Sequence, residues 1–255
     1  MELNKIYNEN CVETMSKIPD QYIDLTITSP PYDNLRIYNG YTFDFEQIAK
    51  ELYRVTKQNG VLVWIVGDAC INGSETGTSF KQALYFKKCG FNIHDTMIYQ
   101  KNSSTLPARK NSNRYTQIFE YMFVFSKGKI RANLICDKKN KWAGFKDYSK
   151  KLNNPVPKYS PRTNIWKYTT SLNGIKHPAP FPEQLANDHI VTWSNEKDIV
   201  YDPFMGSGTT AKMCIINERD FIGSEISKEY CDIANNRINQ TIKEIKLKKQ
   251  QLKLF

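Results

Sequence analysis

Asp202-Pro203-Phe204-Met205-Gly206-Ser207-Gly208-Thr209-Thr210 lies between two stretches of different period. Residues 199–202 form a short apolar run of the buried-strand type, and residues 209–217 carry helical spacing. A glycine pair between a strand and a helix is the setting of a cofactor loop. Neither Gly206 nor Gly208 carries a Cβ, so the backbone can turn tightly and approach a ligand closely. The next strand, residues 221–225, ends in Glu225, about twenty residues downstream, where Rossmann-type sites hold a ribose by its hydroxyls. The loop is neither G-x-G-x-x-G nor a loop ending in G-K-[ST], which disfavours a dinucleotide or a nucleoside triphosphate. Taken alone the glycines also suit an ordinary tight turn. With Glu225 the spacing suits an adenosine cofactor.

Outward from this loop, strands and helices alternate. Residues 22–28 read as a strand that runs into Ser29-Pro30-Pro31-Tyr32, where two prolines forbid continuation of the ladder. A helix is predicted over 45–56, stopped by Asn59-Gly60, then a buried strand over 61–66, a helix over 79–88 and strands over 92–100 and 117–126. Near the other end, helices are predicted over 181–192 and from 228 to about 246. This alternation predicts an α/β fold with a mostly parallel, doubly wound sheet. Residues 101–114 read as a loop, and residues 127–173 as an aperiodic insertion rich in Lys, Asn, Pro, Trp and Tyr.

The chain has 255 residues, enough to bury one full core with a modest insertion. Hydrophobic residues make up 40% and are dispersed; no apolar run approaches the roughly 20 residues of a membrane span. Met1-Glu2-Leu3-Asn4-Lys5 lacks the features of a signal peptide, so a soluble, cytoplasmic protein is expected. Six cysteines without a C-x-x-C pair signal neither zinc nor a disulfide framework. The net charge of +10 is unevenly placed: between Lys127 and Lys167 there are twelve Lys and Arg against Asp137 and Asp147. That concentration points to a polyanionic partner.

Ser29-Pro30-Pro31-Tyr32 puts a hydroxyl, a proline carbonyl and an aromatic face where open α/β sheets bind ligands. Chemistry on an aromatic amino group needs that combination. Its lone pair is delocalised into the ring, and acceptors for the two N–H bonds favour a pyramidal, nucleophilic nitrogen. Ser29 Oγ and the Pro30 carbonyl suit those bonds, while Tyr32 suits stacking on a base taken out of the duplex. As a bare tetrapeptide S-P-P-Y is also a common turn.

Together, S-P-P-Y and D-P-F-M-G-S-G-T-T resemble motifs IV and I of the amino-methylating DNA methyltransferases, in the permuted order of the beta group. The resemblance covers nearly the whole chain. It implies a Rossmann-like methyltransferase fold with a small target-recognition insertion, S-adenosylmethionine as cofactor, and duplex DNA as partner. The expected division is a catalytic half over 1–126, the insertion over 127–173 and a cofactor half over 174–255. Residues 6–11 are similar to the motif before the catalytic strand, where Asn10 stands in place of the usual aspartate. His177, Pro178, Phe181 and their neighbours are similar to motif X, which closes over the methionine end of the cofactor. With Asp202, Phe204, Gly206, Gly208, Thr209, Thr210 and Glu225 they make up the expected cofactor site.

The implied reaction is one direct displacement by the base nitrogen, with no cysteine nucleophile. The absence of a Pro-Cys pair argues against methylation at cytosine C5, which needs a thiolate. Lys138, Lys139, Lys141, Lys146, Lys150 and Lys151 suit phosphate contact. Trp142, Tyr148, Arg162 and Trp166 suit stacking or base edges, or else pack the insertion against the sheet. Arg109, Lys110 and Arg114 are candidates for a DNA clamp. In the family, Ser at the first position of motif IV is more usual in cytosine-N4 than adenine-N6 enzymes, which leans the target toward cytosine N4. A methyltransferase of RNA or of a protein amide, and a non-catalytic DNA-binding module, are the competing readings. A cognate restriction endonuclease is a possible companion.

Overall fold

The computed structural model describes residues 1–31, 43–102, 114–146, 154–169 and 182–252. Tyr32, Arg109, Lys110, His177, Pro178 and Phe181, all expected at the site, lie outside the described residues. In chain order the elements are β1 (Lys5–Tyr7), α1 (Cys11–Lys17), β2 (Ile23–Thr28), α2 (Phe45–Val55), β3 (Thr56–Val66), β4 (Cys70–Ile71), β5 (Ser74–Glu75), α3 (Thr78–Cys89) and β6 (Asn92–Lys101). There follow β7 (Phe119–Ser126), β8 (Lys138–Lys139), β9 (Tyr159–Ser160), β10 (Ile165–Tyr168), α4 (Glu183–Trp193), β11 (Ile199–Asp202), α5 (Thr209–Ile216), β12 (Asp220–Ser224) and α6 (Lys228–Leu252).

Among the described residues, eight strands form the main sheet in the order β1-β12-β11-β2-β3-β7-β6-β10. Only β7 runs against its neighbours; the other pairings are parallel. This is the α/β, mostly parallel sheet that the alternation predicts. Both faces are covered. Val61, Val63 and Ile65 pack with Leu185, Ala211 and Ala234 from α4, α5 and α6, whereas Leu62 and Trp64 pack with Met15, Leu52 and Phe86 from α1, α2 and α3. A strand buried on both faces has no polar side to alternate with, which is why its sequence is one apolar run.

The structure departs from the sequence reading at α2 and in the insertion, beside the short elements β1, α1, β4 and β5 and an α6 that runs on to Leu252. The helix ends at Val55, and Asn59-Gly60 stops no helix; it lies within β3. Ile23 is paired with Thr56 but Leu25 already with Val61, so the extra β3 residues bulge out. Asn59 has φ +68, and a Cβ on Gly60 would stand 2.8 Å from Thr56 Cγ2. The second difference lies in 127–173, read as aperiodic. Its Ile165–Tyr168 is the edge strand β10, parallel to β6, with Trp166 and Tyr168 buried and Ile165 and Lys167 exposed. Its β8 and β9 make a separate antiparallel ribbon.

Candidate active site

Strands β1, β2, β11 and β12 are parallel neighbours, so their C-terminal ends share one edge of the sheet and bring together segments far apart in sequence. The buried Thr28 hydroxyl, the residue before Ser29, donates to Asp202 Oδ1 at 2.7 Å. The Phe204 amide donates to the same oxygen at 3.0 Å, and Thr210 Oγ1 donates to Oδ2 at 2.7 Å. Burial pushes the Asp202 carboxyl up to about 6, against the opposing pull of the Thr210 and Thr28 bonds. Asp202, expected on the cofactor, thus accepts three of the chain's own donors and ties the S-P-P segment to the glycine loop. Ser29 and Pro31 are half-buried and Pro30 is buried.

The loop is pinned from two further sides. Glu225, just past β12, accepts the Gly206 amide at 2.8 Å through Oε2 and the Ser227 amide at 2.8 Å through Oε1. Burial raises its pKa, opposed by those backbone donors. From α6, Arg237 Nη1 donates to the Ser207 carbonyl at 3.0 Å and to Thr209 Oγ1 at 3.2 Å. Its Nη2 bonds Glu183, at the start of α4, which also receives Lys212 Nζ at 2.7 Å. Gly206 has φ +52 and Gly208 φ +81. A Cβ on Gly208 would lie 2.9 Å from Ala234 Cβ, so this glycine is needed for the close approach of α6.

Asn10 caps α1, its side chain accepting the Val12 amide at 2.8 Å. Asn8 Nδ2 reaches the carbonyls of Glu225 and Ile226 at 2.9 and 3.0 Å, which locks the end of β1 to the end of β12. Thr28, Asn8 and Arg237 were not singled out from the sequence, because each bonds a partner far along the chain.

These groups fit S-adenosylmethionine. Each Glu225 oxygen takes one backbone N–H and keeps acceptor capacity for ribose hydroxyls. Phe204, half-buried beside Phe43 and Trp64, gives the edge an aromatic wall. Gly208 caps α5 without a side-chain bond, leaving the helix's first N–H groups without a side-chain cap.

The residues expected on DNA divide. Lys138, Lys139 and Lys141 are exposed on the ribbon. Arg114 is exposed but donates to the Gly73 carbonyl and lies 4.0 Å from Glu75. Arg162 is a correction. It donates to Asp137 Oδ2 at 2.9 Å through Nε and at 2.5 Å through Nη2, and its Nη1 donates to buried Asp188 at 2.6 Å and to the Tyr168 hydroxyl at 3.2 Å. Its guanidinium also lies over the Trp166 ring at 5.2 Å. A base-edge contact would strip Asp188 of its countercharge, so Arg162 fastens the ribbon to α4.

A family model described as DNA methylase, for N6 and N4 methyltransferases, matches residues 23–236. An orphan methyltransferase of Bacillus amyloliquefaciens, M.BamHII, is 57% identical over 88% of this chain and 92% of its own. The solved PvuII DNA methyltransferase, described as cytosine-N4-specific, superposes with a TM-score of 0.70 at 23% identity over 91% of this chain and 85% of its own. A complex of M1.HpyAVI with S-adenosylmethionine gives 0.65 at 26% identity, covering 91% and 98%.

Proposed function

This chain belongs to the family of amino-methylating DNA methylases, enzymes that use S-adenosylmethionine, and we propose that it methylates the N4 of cytosine with Ser29, Pro30, Pro31 and Tyr32 around the base. The observation that carries the placement is the buried 2.7 Å bond from Thr28 to Asp202. One carboxylate fixes the loop that receives the base and the loop that holds the methyl donor, and positioning of this kind is the main catalytic demand of a direct displacement.

When bound, the cofactor supplies an electrophilic methyl carbon on a sulfonium. In this reading Glu225 holds its ribose and Gly206, Phe204, Thr209 and Thr210 line its loop, with Asn10, His177, Pro178 and Phe181 completing the enclosure. Asp202 and Gly208 support that loop from behind. Ser29 Oγ and the Pro30 carbonyl accept the two amino N–H bonds, and the Tyr32 ring stacks on the flipped base. Ser29 is the reason to favour cytosine N4 over adenine N6. Residues 1–126 act as the catalytic half and 174–255 as the cofactor half. Lys138, Lys139 and Lys141 hold phosphates; Arg109, Lys110 and Arg114 make a clamp. The orphan designation of M.BamHII favours an enzyme that works without a cognate endonuclease, in the cytoplasm where its DNA lies.

Incubation with labelled S-adenosylmethionine and mixed-sequence duplex DNA, followed by nucleoside mass spectrometry, tests this. N4-methylcytosine is expected; N6-methyladenine overturns the base, and label in RNA or protein alone overturns the substrate. Tyr32→Ala should depress turnover far more than cofactor binding, and equal loss of both would sink its assignment to the base.

A further inference from the structure

The ribbon continues past β8 and β9 as a ladder. The Asn140 amide donates to the Lys158 carbonyl at 3.0 Å, Gly144 to Val156 at 2.9 Å, and Val156 back to Phe145 at 2.9 Å. A turn at residues 142–145 is therefore fixed to the opposite strand, with Gly144 at φ +85 and the Phe145 amide bonded to the Trp142 carbonyl at 3.0 Å. Trp142 at this turn is 71% exposed and Phe145 57%, their ring centroids 6.2 Å apart. The other three tryptophans, Trp64, Trp166 and Trp193, are buried. The ribbon that carries the aromatic pair also carries Lys138, Lys139, Lys141, Lys146 and Lys158, all exposed, and the described stretches 138–146 and 154–160 contain no acid.

We propose that Trp142, with Phe145 beside it, is a base-stacking wedge that this lysine ribbon carries into duplex DNA. The inference rests on DNA being the substrate. Apolar protein surface would cover the rings but would strand the ammonium groups around them. Duplex DNA meets both needs, with a phosphate for each lysine and flat aromatic faces between. A ribbon is also narrow enough to enter a groove, and aromatic or aliphatic wedges between base steps are a known way to unstack them. The chemistry is sequence-tolerant, so the wedge adds affinity and distortion around the target base rather than choosing it.

Trp142 reports on its own environment, because it is the one tryptophan of the four in solvent. The full chain is titrated with mixed-sequence duplex DNA while tryptophan emission, iodide quenching and DNA anisotropy are followed, and methyl transfer is measured in parallel. Duplex is expected to quench the emission and shield it from iodide, and Trp142→Phe to abolish that signal while keeping a stacking ring and most of the transfer. Trp142→Ala should lower kcat/KM for DNA about tenfold or more, with cofactor affinity and the salt dependence of DNA binding unchanged. Unchanged emission at saturating DNA, or wild-type kcat/KM in Trp142→Ala, overturns the wedge. So does self-association that Trp142→Ala abolishes without altering DNA binding, which would assign the pair to a second copy. If the wild-type chain places no methyl in DNA, the functional reading fails, and the emission titration still judges the wedge by itself.

Discussion

The glycine loop and the lysine ribbon each turn on a glycine in the left-handed region, Gly208 at φ +81 and Gly144 at φ +85, and their surroundings differ completely. Gly208 is jammed against α6, with Asp202, Glu225 and Arg237 bonding the loop from three sides. A Cβ on Gly144 would meet nothing within 4 Å. The loop is held by charged side chains from across the sequence; the ribbon is held by its own backbone ladder and one arginine at its root. In the proposed reading the loop is part of a reactive centre, which needs its partners placed before substrate arrives, and the ribbon meets DNA, which needs its charges and rings unspent.

The glycines give the largest contrast. Gly208→Ala combines left-handed strain with a clash against Ala234 and should cost about 4 kcal/mol in denaturant unfolding. Gly144→Ala carries the strain alone and should cost about 1 kcal/mol. Equal losses would break the comparison.

Next comes Asp202→Ala, which leaves two hydroxyls and the Phe204 amide without their acceptor and should cost about 3 kcal/mol. The sign of its pH dependence is distinctive. Asp202 lies at about 6 when folded and near 3.8 otherwise, so the folded chain holds the proton more tightly. The resulting stability is full below about pH 4 and is lost as pH rises to about 6, on the order of 3 kcal/mol in all. Asp202→Asn, which cannot titrate, should remove that slope from urea midpoints measured across this window; an identical pH profile would show the carboxylate charged throughout.

Arg162→Ala tests the ribbon's root. Burial opposes the charge of Asp188, and bonds led by Arg162 and then Tyr168 hold its pKa below the usual range nonetheless. Tyr168, Gln184 and Asn187 remain after the substitution, so a loss of about 2 kcal/mol is expected. A change in DNA affinity with no change in stability would return Arg162 to the DNA. The smallest effect on stability belongs to joint replacement of Lys138, Lys139 and Lys141 by Gln, within about 0.5 kcal/mol. The slope of log affinity against log salt should nevertheless flatten by up to about 3 units. An unchanged slope moves the footprint off the ribbon.

The sequence was most legible where a motif is local. S-P-P-Y after a strand, the glycine pair between strand and helix, and Glu225 at the next strand end are short-range patterns, and the structure puts their described residues on one edge. What the sequence hid was what depends on distance or on surroundings. Nothing near Thr28 announces a bond to Asp202, and Arg162 looks like any DNA-facing arginine until the buried Asp188 is beside it. Strand β10 escaped because its four residues alternate exposed and buried, too short a run to register between Pro and Asn. Nor does a glycine in the sequence say what takes the space of its missing Cβ, which at Gly208 is Ala234.

The bond from Thr28 to Asp202 joins residues 174 positions apart, and that separation is also an interval of time. At ~5–20 residues per second, the ribosome delivers the carboxylate roughly 10 to 35 s after the hydroxyl it accepts. Through that interval β2 can pair with β3, but its other flank, reserved for β11, stays bare. The nascent chain thus presents an open parallel edge of apolar residues until Ile199–Asp202 emerge, and only then can the two loops that Asp202 bonds close together.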